Sequence, residues 1–199
     1  EPRREWSYAG ETCSLCSCDD CGGWVSHPLP SPAALAKLYG EDFNYGWYRD
    51  HYPAKMADSL IRLLQYRRLG YIPRRDARIL DFGGGLGYFS RAARLLGYDA
   101  RTEDPAMTGA HVSGAFDVVV CHHVLEHAPR PEEILDTVRS LLAPGGTLIL
   151  AVPNAASAGY QARGADFVWS QPPFVHIPHF TARGLGALLA REGWTIEAE

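Results

Sequence analysis

What this chain has little of narrows its class first. No lysine follows Lys55, so the glycine-rich stretch beyond it lacks the Gly-Lys-Ser/Thr ending that a phosphate-binding P-loop requires. Nucleotide triphosphate hydrolysis is disfavoured. No apolar run approaches eighteen residues, and the first residues, EPRREWSYAGET, lack the apolar core of a secretion signal. No membrane partner is expected, and the expected location is cytoplasmic. Positive charge is not in excess either: 19 Lys+Arg face 23 Asp+Glu, for a net charge of −4 and a pI near 6.1. That balance gives no global pull toward nucleic acid or anionic lipid. Cysteine is confined: four of the five lie in CSLCSCDDC, and Cys121 stands alone in an apolar stretch as a core thiol.

The 199 residues, 46% of them hydrophobic, suffice for one main domain with a small appendage. Residues 1–30 are rich in Cys, Gly and Pro without periodicity, and read as a small irregular module. Residues 31–72 read as a helical and aromatic cap. Ser31 before Pro32 caps a short helix, and Met56, Leu60, Leu63 and Leu64 recur at helical spacing until Gly70 stops them. Residues 73–199 alternate strand and helix. RILDF, DVVVC, TLILAV and WTIEA read as strands; the helices between them place Phe89, Ala92, Ala93 and Leu96, then Ile134, Val138, Leu141 and Leu142, each on one face. Thr181 caps the last helix. Apolar strands separated by amphipathic helices imply an α/β fold with a doubly wound, mostly parallel sheet covered on both faces.

In such a sheet the turn after the first strand cradles the ligand. Here that turn is ILDFGGGLGYFS, Ile79 to Ser90. The dinucleotide pattern G-x-G-x-x-G fails from Gly83, because residue 88 is Tyr; Asp81-x-Gly83-x-Gly85-x-Gly87 fits better. An acid at the strand end is poorly suited to pyrophosphate and well suited to an ammonium or sulfonium charge. These residues resemble the first motif of the class I S-adenosylmethionine (SAM)-dependent methyltransferases. TEDP, FDVVVCHHVLEHAPRPEEIL, LLAPGGTLILAVPN and PPFVHIPHFTARGLGALLAREGW resemble their later segments, so the likeness covers Ser31 to Glu199.

The resemblance implies a Rossmann-like fold and a transferase using SAM. Gly83, Gly85 and Gly87 would let the backbone approach the methionine part of SAM, and Asp81 would orient the turn or the amino group. Asp104, with Glu103 as the alternative, would take the ribose hydroxyls, and His122 and His123 are candidates for the adenine pocket. Only ten residues separate Pro105 from Phe116, fewer than many relatives have there.

HHVLEH places His123, Glu126 and His127 at spacings of three and four, which share one face if the segment is helical and then make a plausible divalent-metal set. In the ubiquinone-biosynthesis O-methyltransferases, which this segment resembles, the matching positions can hold a metal. The competing reading has Glu126 and His127 orienting the loop while His123 packs on the cofactor. His127 or His176 is expected to act as the base on a hydroxyl acceptor. The aromatic stretch Tyr39, Phe43, Tyr45, Trp47, Tyr48 and Tyr52 reads as a lid or a hydrophobic plug.

The cluster C-x2-C-x-C-x2-C suggests one structural zinc on Cys13, Cys16, Cys18 and Cys21, with His27 as a substitute ligand; free thiols or two disulfides are the alternatives. The module resembles the N-terminal zinc ribbon of some relatives. The sequence therefore points to methylation of a small-molecule acceptor, first at oxygen, with S-adenosylhomocysteine (SAH) as product. The competing readings are an RNA methyltransferase using a stripe of Arg62, Arg67, Arg68, Arg74 and Arg75, and a non-catalytic SAM-binding subunit. Oligomeric state is not legible in the sequence.

Overall fold

The structure, a computed structural model, describes residues 5–42, 45–72, 76–104, 112–164 and 172–198, with the backbone alone at 42, 45, 47 and 48. The chain divides into two compact units of interleaved segments: 1–41, 123–135 and 152–199 form one, and 42–122 with 136–151 the other. These boundaries differ from the three consecutive regions the sequence suggests.

The second unit holds a parallel sheet in the order β5-β4-β6-β7, with β4 at Arg78–Phe82, β5 at Asp99–Glu103, β6 at Phe116–His122 and β7 at Leu142–Ala151. Alternation along β4 sends Ile79 and Asp81 to one face and Leu80 and Phe82 to the other. Ile79 joins Val118, Val120 and Ala100 in a core completed by Leu63 of helix α3 (Tyr52–Arg68) and by Phe89 and Ala93 of α4 (Tyr88–Leu95). Leu80, Val119 and Cys121, on the opposite face, are also fully buried. Both faces of the sheet are covered, as the apolar strands require. Leu96 is more than one-third exposed, so the apolar face of α4 stops one residue short of the sequence expectation.

The first unit contains an antiparallel sheet, β1 (Glu5–Tyr8), β2 (Glu11–Ser17), β3 (Trp24–His27) and β8 (Pro178–His179), where the sequence suggested an irregular module. Ala9 and Gly10 both have positive φ, which closes the two-residue hairpin between β1 and β2. Helix α1 (Pro32–Lys37) starts as expected, with the Ser31 hydroxyl accepting the Ala34 N–H at 3.1 Å. Helices α2 (Tyr45–Asp50), α5 (Pro131–Leu141) and α6 (Ala158–Arg163) follow in chain order. Helix α7 (Ala182–Arg191) is capped by Thr181 and closed at Gly193. The Trp194 N–H donates back to the Leu189 carbonyl in that closure, and residues 194–198 are not a strand. The expected final strand is thus corrected: among the described residues, 194–198 join neither sheet.

Candidate functional site

The carboxyl ends of β4 and β5 meet at the glycine turn. The Gly83 N–H donates to the Glu103 carbonyl at 2.7 Å, one step beyond the parallel ladder, and the Gly85 N–H donates to Asp104 Oδ2 at 2.7 Å. Asp81, 5% exposed, lies beneath the turn and accepts the Ser90 N–H at 3.3 Å, in the first turn of α4. Gly87 has no side chain to cap that helix, so the Asp81 carboxyl serves the helix N-terminus instead. Burial pushes the Asp81 pKa up to about 7; the Ser90 hydrogen bond opposes the rise and repulsion from Asp104 adds to it. Two buried acids thus share a turn that favours an incoming cation.

Gly84 was absent from the residues singled out in the sequence, yet it is sterically more constrained than Gly85 or Gly87. A Cβ built there would lie 2.3 Å from Asp81 Cγ. The tight packing beyond the turn continues at Ser90 and Thr102, whose hydroxyl oxygens are 2.5 Å apart. The run of four glycines in five positions was the available signal, since the motif's free positions are also glycine or apolar.

At the end of β6, His122 stands 2.7 Å from the Tyr66 hydroxyl through Nε2, with the Tyr66 and Phe89 rings edge-on to it. His123 belongs to the other unit and has a left-handed backbone, with φ at 55°. Its Nδ1 is 3.1 Å from Glu126 Oε1. A non-glycine residue at positive φ is strained and is held there by its surroundings.

Leu125–His127 forms a single 3-10 turn. The Ile177 N–H donates to the Glu126 carbonyl at 2.7 Å, and this bond draws the HIPH segment onto the turn. His127 Nδ1 lies 2.7 Å from the Val175 carbonyl and 2.9 Å from the Tyr39 hydroxyl. A carbonyl only accepts, so Nδ1 carries the proton and the basic lone pair resides on Nε2. The His176 ring, 5% exposed, sits edge-on to His127 with centroids 4.9 Å apart. Next in this row is His179, whose Nδ1 is 2.6 Å from the Tyr160 hydroxyl. Burial pulls the His179 pKa down to about 4, so it is neutral at pH 7.

Glu126, His127 and His176 each offer a ligand atom within 4.8 Å of the others, the one such set among the described residues. Glu126 is 1% exposed, and its Oε2 has no hydrogen-bond partner among the described residues. The donor set fits a divalent cation. It replaces the expected His123 with His176, a residue from the distant loop that spacing within HHVLEH could not reveal.

The four cysteines of the expected zinc site are not gathered. Cys13 and Cys16 are three apart on β2, so they point to opposite faces; Cys13 is 1% exposed and pairs across to Trp6, whereas Cys16 lies opposite Val25. Cys18 and Cys21 lie together in the following turn, and His27 is across from Ser14. The residues do not fit one four-thiolate zinc centre. Of the arginine stripe, Arg62 pairs with Asp58 at 3.0 Å on the surface of α3. Arg74 and Arg75 lie outside the described residues, as do Phe43 and most of the short 105–116 connector.

Against known proteins, the methyltransferase domain family matches residues 48–199, more than half of the chain. The chain belongs to the methyltransferase domain family. A ubiquinone biosynthesis O-methyltransferase of Xanthomonas campestris is 32% identical over an alignment of 133 residues that covers 51% of this chain and 56% of that protein. Its counterpart in Xylella fastidiosa is 31% identical over an alignment of 158 residues that covers 63% of each chain. The chain therefore spans less than two thirds of the length of these curated relatives. A crystal structure of Burkholderia thailandensis 1,6-didemethyltoxoflavin-N1-methyltransferase, with 1,6-didemethyltoxoflavin and S-adenosylhomocysteine bound, superposes with a TM-score of 0.56 at 20% identity, covering 98% of this chain and 91% of that one. At that identity the likeness concerns the fold. The Rossmann-like architecture of this methyltransferase-domain chain agrees with the sequence reading, and no helix among the described residues is long and apolar enough to cross a membrane.

Proposed function

We propose that this methyltransferase-domain chain transfers the methyl group of SAM to a hydroxyl oxygen of a small molecule. The observation that carries the reading is the pair of buried acids, Asp81 and Asp104, at a glycine turn on the carboxyl ends of a parallel sheet. Such a turn repels phosphate and favours a ligand bearing ammonium and sulfonium charge. In this reading Gly83, Gly85 and Gly87 admit the methionine part of SAM, Asp104 takes the ribose hydroxyls, and His122, with His123 beside it in sequence, contributes to the adenine pocket. The curated relatives act at oxygen by name, which supports oxygen as the acceptor atom.

Methyl transfer is an in-line displacement at a carbon already activated by the sulfonium, so positioning supplies much of the acceleration. A hydroxyl acceptor also has to lose a proton. His127 Nε2 is the base in this proposal, its tautomer set by Val175, with His176 packed against the ring. The test is transfer of labelled methyl from SAM to a panel of small phenols, alcohols and amines. Label in an ether product supports the proposal. Label only in amines, or SAM binding with no turnover on any acceptor, overturns it. In the first case His127→Ala should lower kcat about 10²- to 10⁴-fold while SAH affinity is unchanged.

A second reading of the same side chains rests on the unpartnered Glu126 Oε2 beside His127 and His176. A divalent cation held there would polarise the acceptor hydroxyl as a Lewis acid. Dialysis against a chelator decides between them: activity lost and restored by a divalent metal favours the cation, and unchanged activity favours the base.

A further inference from the structure

The Cys18–Gly23 turn is built around two sulfurs. The Gly22 N–H donates to the Cys18 carbonyl and the Cys18 N–H to the Gly23 carbonyl, both at 2.8 Å. The first of these is a helix-type bond from residue i+4 to i, so Cys18 and Cys21 stand one helical turn apart, about 5 Å between Cα atoms by helix geometry. A disulfide needs roughly 4.4 to 6.8 Å. The turn is pinned to α7: the Thr181 hydroxyl donates to the Cys21 carbonyl at 2.6 Å, and a Cβ on Gly184 would lie 3.2 Å from Cys21 Sγ. Cys18 and Cys21 are partly exposed, whereas Cys13 and Cys121 are buried. Cys16 is also partly exposed, but it sits on β2, which ends at Ser17, before the turn that holds Cys18 and Cys21.

We propose that Cys18 and Cys21 form a reversible dithiol–disulfide pair, oxidised by exchange with a low-molecular-weight disulfide of the glutathione type. A pair of thiols is what remains once β2 sends Cys13 and Cys16 to opposite faces, and two thiols suffice for a disulfide where a tetrahedral metal needs four ligands. The Cys18 thiolate attacks one sulfur of the small disulfide, forms a mixed disulfide and expels one thiolate. The Cys21 thiolate then attacks the Cys18 sulfur and expels the second. The protein loses two electrons and two protons, and the small disulfide leaves as two thiols. Donation from the Cys21 N–H, then from the Cys21 thiol and the Asp20 N–H, holds the Cys18 pKa below the ordinary thiol range, which marks Cys18 as the attacking sulfur.

The full chain, equilibrated in graded mixtures of reduced and oxidised glutathione, should be acid-quenched, alkylated and peptide-mapped. The expected result is a peptide carrying both Cys18 and Cys21 that loses the mass of two hydrogens and resists alkylation, while Cys13 and Cys121 stay reduced. Cys16→Ser should leave this pairing intact. In Cys18→Ser or Cys21→Ser the surviving thiol should carry glutathione instead. The mapping of the unaltered chain stands without any variant. The proposal is overturned if Cys18 and Cys21 remain alkylatable at the oxidising end, if each carries its own glutathione, or if either pairs with Cys16. It is equally overturned if zinc copurifies and blocks both thiols until a chelator is added.

Discussion

At the scale of single residues, what matters most is a missing side chain. Gly84 has an ordinary negative-φ backbone, so its constraint is steric: any Cβ would collide with the Asp81 carboxyl. Gly84→Ala should displace Asp81 and weaken SAH binding by about tenfold or more, measured calorimetrically, as expected when a preorganised ligand turn is strained by 1–3 kcal/mol. Unchanged affinity would remove Gly84 from the site. Two buried titratable groups set opposing pH trends. The folded pKa of Asp81, about 7, is raised above its ordinary 3.8, so its contribution to stability is full below about 3.8 and is lost as pH rises through about 7. The folded pKa of His179, about 4, is depressed from 6.5; its contribution is full above 6.5 and is lost as pH falls through about 4. Asp81→Asn should abolish the first trend and His179→Gln the second, each by up to about 1.4 kcal/mol per pH unit. Denaturant midpoints measured from pH 4 to pH 7.5 check both signs, and parallel curves for variants and parent would contradict them.

At the scale of elements, caps and strand ends decide where chemistry is placed. Asp81 does two jobs because β4 ends directly under the first turn of α4: it serves the helix amide of Ser90 and sets the charge of the turn. Thr181 likewise caps α7 through Gly184 at 3.0 Å and ties the helix to the Cys21 carbonyl. Thr181→Val keeps the shape and removes both bonds, so a loss of about 1 to 2 kcal/mol is expected in equilibrium unfolding. A loss below a few tenths would show that water replaces both partners. The caps were legible beforehand, since Ser31 and Thr181 precede apolar-periodic runs. The polar strand β5 was not legible from pattern, because DARTE lacks the apolar alternation of a half-buried strand.

At the scale of the whole molecule, consecutive regions of sequence are not the compact units of the fold. The segments 1–41, 123–135 and 152–199 gather because β8 pairs with β3 and the 3-10 turn takes the Ile177 amide, both contacts between residues far apart in sequence. The glycine turn, its acids and the parallel sheet were legible from local pattern and ordered motifs. A single strand–turn–helix unit builds that site, so its spacing survives in one dimension. The residues set together from afar were not legible: His176 beside His127, Tyr66 against His122, and the division of the cysteines between two faces of β2. Local pattern in the sequence was enough for the fold class, the helix caps and the glycine turn proposed to hold SAM, because backbone sterics and hydrophobic periodicity act over neighbouring residues. Only the tertiary structure decided which histidines share a cluster and which thiols can meet, because strand register and long-range hydrogen bonds set those distances.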